Sequence, residues 1–305
     1  NAASGDYKGN IGDCWWCRST CQRILRFYFR TSGKTEMMEM VKYIRWLSLD
    51  IVLGGVIFLN FIGDQLKVEV PIVVSLALSL CIWLIYTLDH QRDVTLKLHQ
   101  KGARRIFHKK NQRAIILTAL FMGLLGLVLL YFLPLELVQW GLLVALVCLI
   151  YLTLSTGLSS LLVKEVMVAL LYGGGIFLFP LIQIDPLEGI HGLLFIQLSL
   201  LAFVNIVLIS TFELEEDRFN GFGSLSLSMG KRRTSQLLGG LLIISALSTI
   251  IIAYYYPYFM HLEIIYLFAS LQLAIILLRP AWFVSAERYR IYADAIFFYP
   301  LIFLW

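Results

Sequence analysis

Polar and apolar positions along this chain alternate between long runs almost free of charge and short loops crowded with it. A hydrocarbon layer about 30 Å thick asks for roughly 20 consecutive apolar residues per helix. That ruler predicts nine spans, at 44–62, 70–88, 113–132, 135–154, 165–183, 191–212, 235–255, 260–278 and 289–305. The fourth and fifth are parted by a polar stretch around Lys164 and Glu165. The ninth is still apolar at Trp305, so the run is open to continuing beyond it. The expected fold is an all-α membrane protein of about nine transmembrane helices in one bundle over residues 42–305. Residues 1–41 precede it as a cytosolic extension and a candidate amphipathic segment.

Composition narrows the class. Apolar residues make up 59% of the chain and charged residues 15%, against about 45–50% and about 25% in soluble domains. A water-soluble fold has no interior large enough for so much apolar surface. Charge then supplies an orientation. Of 25 Lys and Arg residues, the nine spans put 24 on one side, with Lys67 alone opposite. Positive loops stay cytoplasmic, which predicts a cytoplasmic N-terminus and a C-terminus on the other side. The net charge of +5 is accounted for by topology, and no nucleic-acid partner is needed to explain it.

The first 41 residues carry Cys14, Cys17 and Cys21 beside Trp15 and Trp16, without the apolar core of a signal peptide. Three cysteines lack the fourth protein ligand of a structural metal site, and a cytosolic location argues against disulfides. Ile24, Leu25, Phe27 and Phe29 instead suit a segment lying on the headgroups. Cys81 and Cys148 fall inside spans and read as small apolar residues.

The chemistry gathers at the cytosolic mouths of helices. Asp89 and Asp93 follow the second span four residues apart, on one helical face. Glu213 and Asp217 repeat that spacing after the sixth span. Paired carboxylates repel unless a cation offsets them, and Mg²⁺ prefers carboxylate oxygen and bridges to substrate phosphates. Each cluster precedes a basic loop, so Arg and Lys are at hand for the remaining phosphate charge. The plainer alternative is a solvated helix end whose acids pair with Arg92 and Lys97.

At these residues the sequence resembles the UbiA superfamily of membrane-embedded prenyltransferases, in its divergent bacterial branch. The run Tyr86-Thr87-Leu88-Asp89 with Asp93, then Arg104, Arg105, Phe107 and His108, carries the likeness. Lys164-Glu165 and Gly221-Phe222-Gly223-Ser224-Leu225 leading to Gly230 extend it. The resemblance implies a nine-helix enzyme of the bacterial inner membrane that moves an isoprenoid from a prenyl diphosphate to a hydrophobic, aromatic or lipid-like acceptor. It implies Mg²⁺ held by Asp89, Asp93, Glu213 and Asp217, with Lys164, Arg104 and Arg105 against the departing diphosphate. Two departures stand out: Ile85 and Tyr86 occupy places the family fills with Asn and Asp, and Glu213 stands where Asp is usual. A non-catalytic isoprenoid- or lipid-binding protein with a decayed site is therefore an alternative, and a transporter using Asp50 and Asp294 is a third.

Asp50, in the first span, is a candidate for acceptor binding or for locking the helix end against Arg45 or Arg92. Asp294, in the last, is expected to face an interior cavity or a partner. Asn60 and Asn205 suit hydrogen bonds between helices. Gly54-Gly55, Gly173-Gly174-Gly175 and Gly239-Gly240 suggest close helix packing. The five histidines form no ligand pair, and none receives a catalytic role.

Overall fold

The computed structural model describes residues 40, 42–96, 102–154, 161–221 and 223–304, with the side chains of 96, 151–163 and 286 left aside. The N-terminal cysteines, the amphipathic segment around Phe27 and Lys97 lie outside the described residues. The chain divides into two compact units, Asn1–Trp46 and Leu47–Trp305. In the described part of the first, Tyr43 packs edge-on against Trp46 with ring centroids 5.5 Å apart.

The described residues of the second unit form helices joined by short turns, with no strand among them. Its elements are α1 (Leu49–Gln65), α2 (Ile72–Leu96), α3 (Ala103–Lys110), α4 (Gln112–Leu130), α5 (Leu135–Leu154), α6 (Leu161–Ile182) and α7 (Gly189–Phe212). After them come α8 (Leu214–Asn220), α9 (Leu225–Met229), α10 (Lys231–Tyr255), α11 (Met260–Leu278), α12 (Pro280–Val284) and α13 (Arg288–Ala295), with a 3₁₀ segment at Ile296–Ile302. The core forms where α7 meets α6, α10 and α11, and where α1 meets α2, α6 and the 3₁₀ segment. Phe58, Phe61, Ile176, Phe177, Leu198 and Tyr266 are almost wholly buried there.

Among the described residues, six helical stretches are long and apolar enough to cross a membrane: Ile72–Thr95, Gln112–Leu130, Lys164–Ile182, Gly189–Phe212, Lys231–Tyr255 and Pro257–Leu278. Their outer surfaces match that reading. On α4, Leu117, Leu120, Phe121, Leu124 and Leu127 are each more than 60% exposed, an apolar stripe of the kind that faces lipid. The protein is an integral membrane helical bundle.

The expected nine spans are thus too many. The predicted first span is α1, whose 17 residues rise only about 26 Å, short of the hydrocarbon thickness. The fourth begins as an apolar helix, Leu135–Ile150. The ninth is not one helix: α13 carries Arg288, Arg290 and Asp294 and gives way to the 3₁₀ segment containing Pro300. Its charges turn inward to other side chains, which composition along the chain could not register. The glycine reading also divides. Gly54, Gly55 and Gly173 are closely approached, whereas Gly174, Gly239 and Gly240 have nothing within 4 Å of a notional Cβ.

Candidate functional site

Asp89 and Asp93 stand on the last turns of α2, and the chain returns through α3, which packs on α2 and α4. At Gly102, just before α3, φ is +108° and a notional Cβ would lie 2.3 Å from Glu216 Oε1. Only glycine tolerates both the left-handed backbone and that approach, and the contact brings α3 against the acidic face of α8. Helix α7 ends at Phe212 and the chain resumes as α8, with the Asp217 amide donating to the Glu213 carbonyl at 2.8 Å. That helical bond keeps Glu213 and Asp217 on one face.

These elements surround a cavity of about 260 Å³. Its polar wall carries Asp89, Asp93, Glu213 and Asp217 together with Arg104, Arg105, Lys164 and Arg290. Its apolar wall carries Ile51, Tyr86, Tyr172, Ala202, Ile206, Ile209 and Phe297. Seven of the eight sequence-predicted residues thus share one cavity. The eighth, Asp50, is not among the lining residues: it sits in the first turn of α1, where Oδ1 accepts from the Ile51 amide at 3.0 Å.

Arginines hold the acids in place. Arg92 reaches Asp89 at 2.9 Å and Asp93 at 3.8 Å. Arg105 binds Glu216 at 2.5 Å and Asp217 at 3.4 Å. Arg290 pairs with Glu213, which also accepts from Tyr289 Oη at 3.3 Å. Burial, then the neighbouring Glu213 charge, pushes the Asp217 carboxyl up to about 6. Arg104 differs from these arginines in forming no ion pair among the described residues. Burial, then repulsion from Arg290, lowers its guanidinium to about 10, so it remains a cation at neutral pH. Lys164 likewise faces the cavity without an ion pair among the described residues.

Three lining residues hold buried polar atoms with no hydrogen-bond partner among the described residues: Glu165 Oε2, Tyr172 Oη and Asn205 Oδ1. The other half of each group is fixed or packed. Glu165 Oε1 accepts from the Leu225 amide at 2.9 Å, Asn205 Nδ2 donates to Asp294 Oδ1 at 3.0 Å, and the Tyr172 ring lies edge-on to Phe297. Idle buried polar atoms cost about 1–3 kcal/mol each, so these three are available to water or to polar groups of a guest in the cavity. The sequence reading missed Glu165, Tyr172, Asn205 and Arg290 as lining residues. Position inside apolar runs was the available signal for Glu165 and Asn205. Arg290 enters the charge pattern only as one of the 24 cations on the predicted cytoplasmic side.

Among the described residues no three His, Cys, Asp or Glu side chains converge to hold a metal ion by themselves. No known family description matches the chain, and no curated protein does. The chain is similar to a solved structure of a digeranylgeranylglyceryl phosphate synthase, at 17% identity and a TM-score of 0.48, over 86% of this chain and 97% of that one.

Proposed function

We propose that this membrane bundle is a Mg²⁺-dependent prenyltransferase that takes an isoprenoid from a prenyl diphosphate and passes it to a hydrophobic acceptor. The observation that carries the reading is the division of one cavity. Four carboxylates and the cations Arg104 and Lys164, which form no ion pair among the described residues, stand on one wall, and a largely apolar, aromatic surface forms the other. An ionic headgroup on a long apolar tail has that same division.

The donor set suits magnesium with diphosphate rather than a bare ion. The protein offers paired carboxylates, Asp89 with Asp93 and Glu213 with Asp217, and Mg²⁺ commonly takes one or two carboxylates and completes its shell with phosphate oxygens and water. Mg²⁺ bound there would neutralise diphosphate charge and so make it a better leaving group. Arg104 and Lys164 take the charge that remains, through hydrogen bonds strengthened by the ionised partner. The allylic C–O bond breaks as diphosphate departs with the bonding pair, an electron-rich atom of the acceptor bonds to the allylic carbon, and the acceptor's proton is lost to the departing diphosphate or to water. Idle groups at Glu165, Tyr172 and Asn205 offer hydrogen bonds to a polar part of the acceptor. The motif likeness to UbiA prenyltransferases supports the same reading.

A second reading is a non-catalytic isoprenoid-binding protein. It is favoured by Arg92, Arg105 and Arg290, which already neutralise the acids, and by Ile85 and Tyr86 in the first motif. Purified protein incubated with labelled prenyl diphosphates of several chain lengths, with and without Mg²⁺, separates the two. Enzyme activity requires Mg²⁺-dependent binding and diphosphate release, both lost in Asp89→Ala and Asp217→Ala. Binding without release selects the second reading, and no binding overturns both.

A further inference from the structure

The inner end of the cavity differs from its mouth. Asn205 on α7 and Tyr172 on α6 line it and are 4% and 8% exposed. Asn205 precedes Glu213 by eight residues and Tyr172 follows Lys164 by eight, so each stands about 12 Å along its helix from the charged mouth. Ile209, one turn from both Asn205 and Glu213, lines the apolar stretch between them. On α13, Asp294 lies one turn beyond Arg290, the partner of Glu213, and completes this inner end.

Hydrogen bonding gives that end a definite polarity. Asn205 Nδ2 donates to Asp294 Oδ1 at 3.0 Å. Arg290, four residues from Asp294, favours the ionised carboxyl, and an ionised carboxylate can only accept. It therefore fixes the amide orientation and leaves Asn205 Oδ1, which can only accept, for a guest. Neither Asn205 Oδ1 nor Tyr172 Oη has a hydrogen-bond partner among the described residues. The first requires a donor, whereas the second can donate or accept. A hydroxyl group fills both roles, giving its proton to Asn205 and accepting one from Tyr172. An ether has no proton to give. A carboxylate or phosphate has none either, and it brings a second anion beside Asp294.

We propose that the acceptor presents a hydroxyl, and no anionic group, to Asn205 and Tyr172, which select and orient it. Calling this guest the acceptor rests on the prenyltransferase reading, whereas the preference for a hydroxyl rests on the inner end of the cavity alone.

The probes are para-butylphenol, para-butylanisole and para-butylbenzoate, which share a ring and a tail and differ in the polar group. Each competes with tritiated para-butylphenol for the full chain in lipid nanodiscs at neutral pH. The anisole is expected to bind about 3- to 10-fold more weakly than the phenol, and the benzoate at least about 10-fold more weakly. Tyr172→Phe deletes an idle buried oxygen, so its melting temperature is expected to stay level or rise while phenol binding weakens about 3- to 10-fold. Asn205→Leu is expected to abolish the preference for phenol over anisole, and Tyr172→Phe serves alone if that variant does not fold. Failure of the phenol to bind, equal binding of the anisole or the benzoate, or undiminished phenol binding in Tyr172→Phe overturns the proposal and leaves the two oxygens to water. Mg²⁺-dependent binding of labelled prenyl diphosphate to the same preparation keeps the two readings apart. Its absence with the hydroxyl preference intact sinks the prenyltransferase reading alone, and its presence without that preference sinks only the present one.

Discussion

Single residues divide here by whether their charge is already matched. Arg105 and Arg290 are committed to carboxylates, and removing either leaves a mostly buried carboxylate without its cation. Arg290→Ala is therefore expected to cost about 3–5 kcal/mol and to lower the melting temperature sharply. Arg104 is crowded by other cations, so Arg104→Gln is expected to leave stability unchanged or improved. The same change is expected to weaken prenyl diphosphate binding about 10- to 100-fold, the loss of one charge-assisted contact, read by titration with labelled donor. Asp217 carries a pH signature. Its carboxyl is raised to about 6 from an ordinary 3.8, so the folded state holds this proton more tightly than the unfolded chain. Its favourable contribution is complete below about pH 4 and is lost as pH rises through 6. Asp217→Asn is expected to raise the melting temperature at pH 8 and leave it unchanged at pH 4. Mg²⁺-dependent donor binding by the natural chain is expected to fall as pH drops below about 6, because a protonated carboxyl is a poor ligand.

At the scale of elements, close approaches at particular glycines set how the helices meet. A Cβ at Gly54 on α1 would lie 2.8 Å from Phe297 Cβ, an atom with little freedom to withdraw. Gly54→Ala is expected to cost about 1–3 kcal/mol through overpacking and to narrow the cavity wall that Phe297 and Tyr172 form. Gly174→Ala on α6 meets open space and is expected to be neutral or to stabilise by up to about 1 kcal/mol through helix propensity. Thermal unfolding of the two variants side by side checks this contrast. Inter-helix hydrogen bonds complete the arrangement. Asn60 Nδ2 donates to Ser75 Oγ at 3.2 Å between α1 and α2, and Asn205 to Asp294 joins α7 to α13. Both asparagines do what their position in apolar runs suggested.

For the whole molecule, the exposed stripe on α4 means that lipid is part of the fold. Leu124→Lys near the middle of that helix is expected to cost about 2.5–3.5 kcal/mol of insertion free energy, read as loss of protein from the membrane fraction. The turns α1–α2 and α10–α11 lie at one end, where Lys67 sits over the Tyr258 ring at 5.2 Å, and the acidic cavity is built from the other. If the positive-inside reading holds, single cysteines placed at 110 and 218 in a cysteine-free background will label from the cytoplasmic side, and one at 67 from the opposite side. The sequence by itself determined the membrane class, the positions of most long helices, and the two i, i+4 acidic pairs. Each of these is written in local apolar runs or helical periodicity. Tertiary structure alone decided that these acids meet Arg104, Arg105 and Lys164 around one cavity, that Asp50 stays out of its lining, and that the last segment is broken rather than spanning. Such placements depend on which helix faces which, and that is settled by packing between residues as much as 112 positions apart, as with Arg105 and Asp217, rather than by any local pattern. The acidic pairs were legible because one helix turn encodes them, whereas the arginines that neutralise Glu213 and Asp217 arrive from other helices.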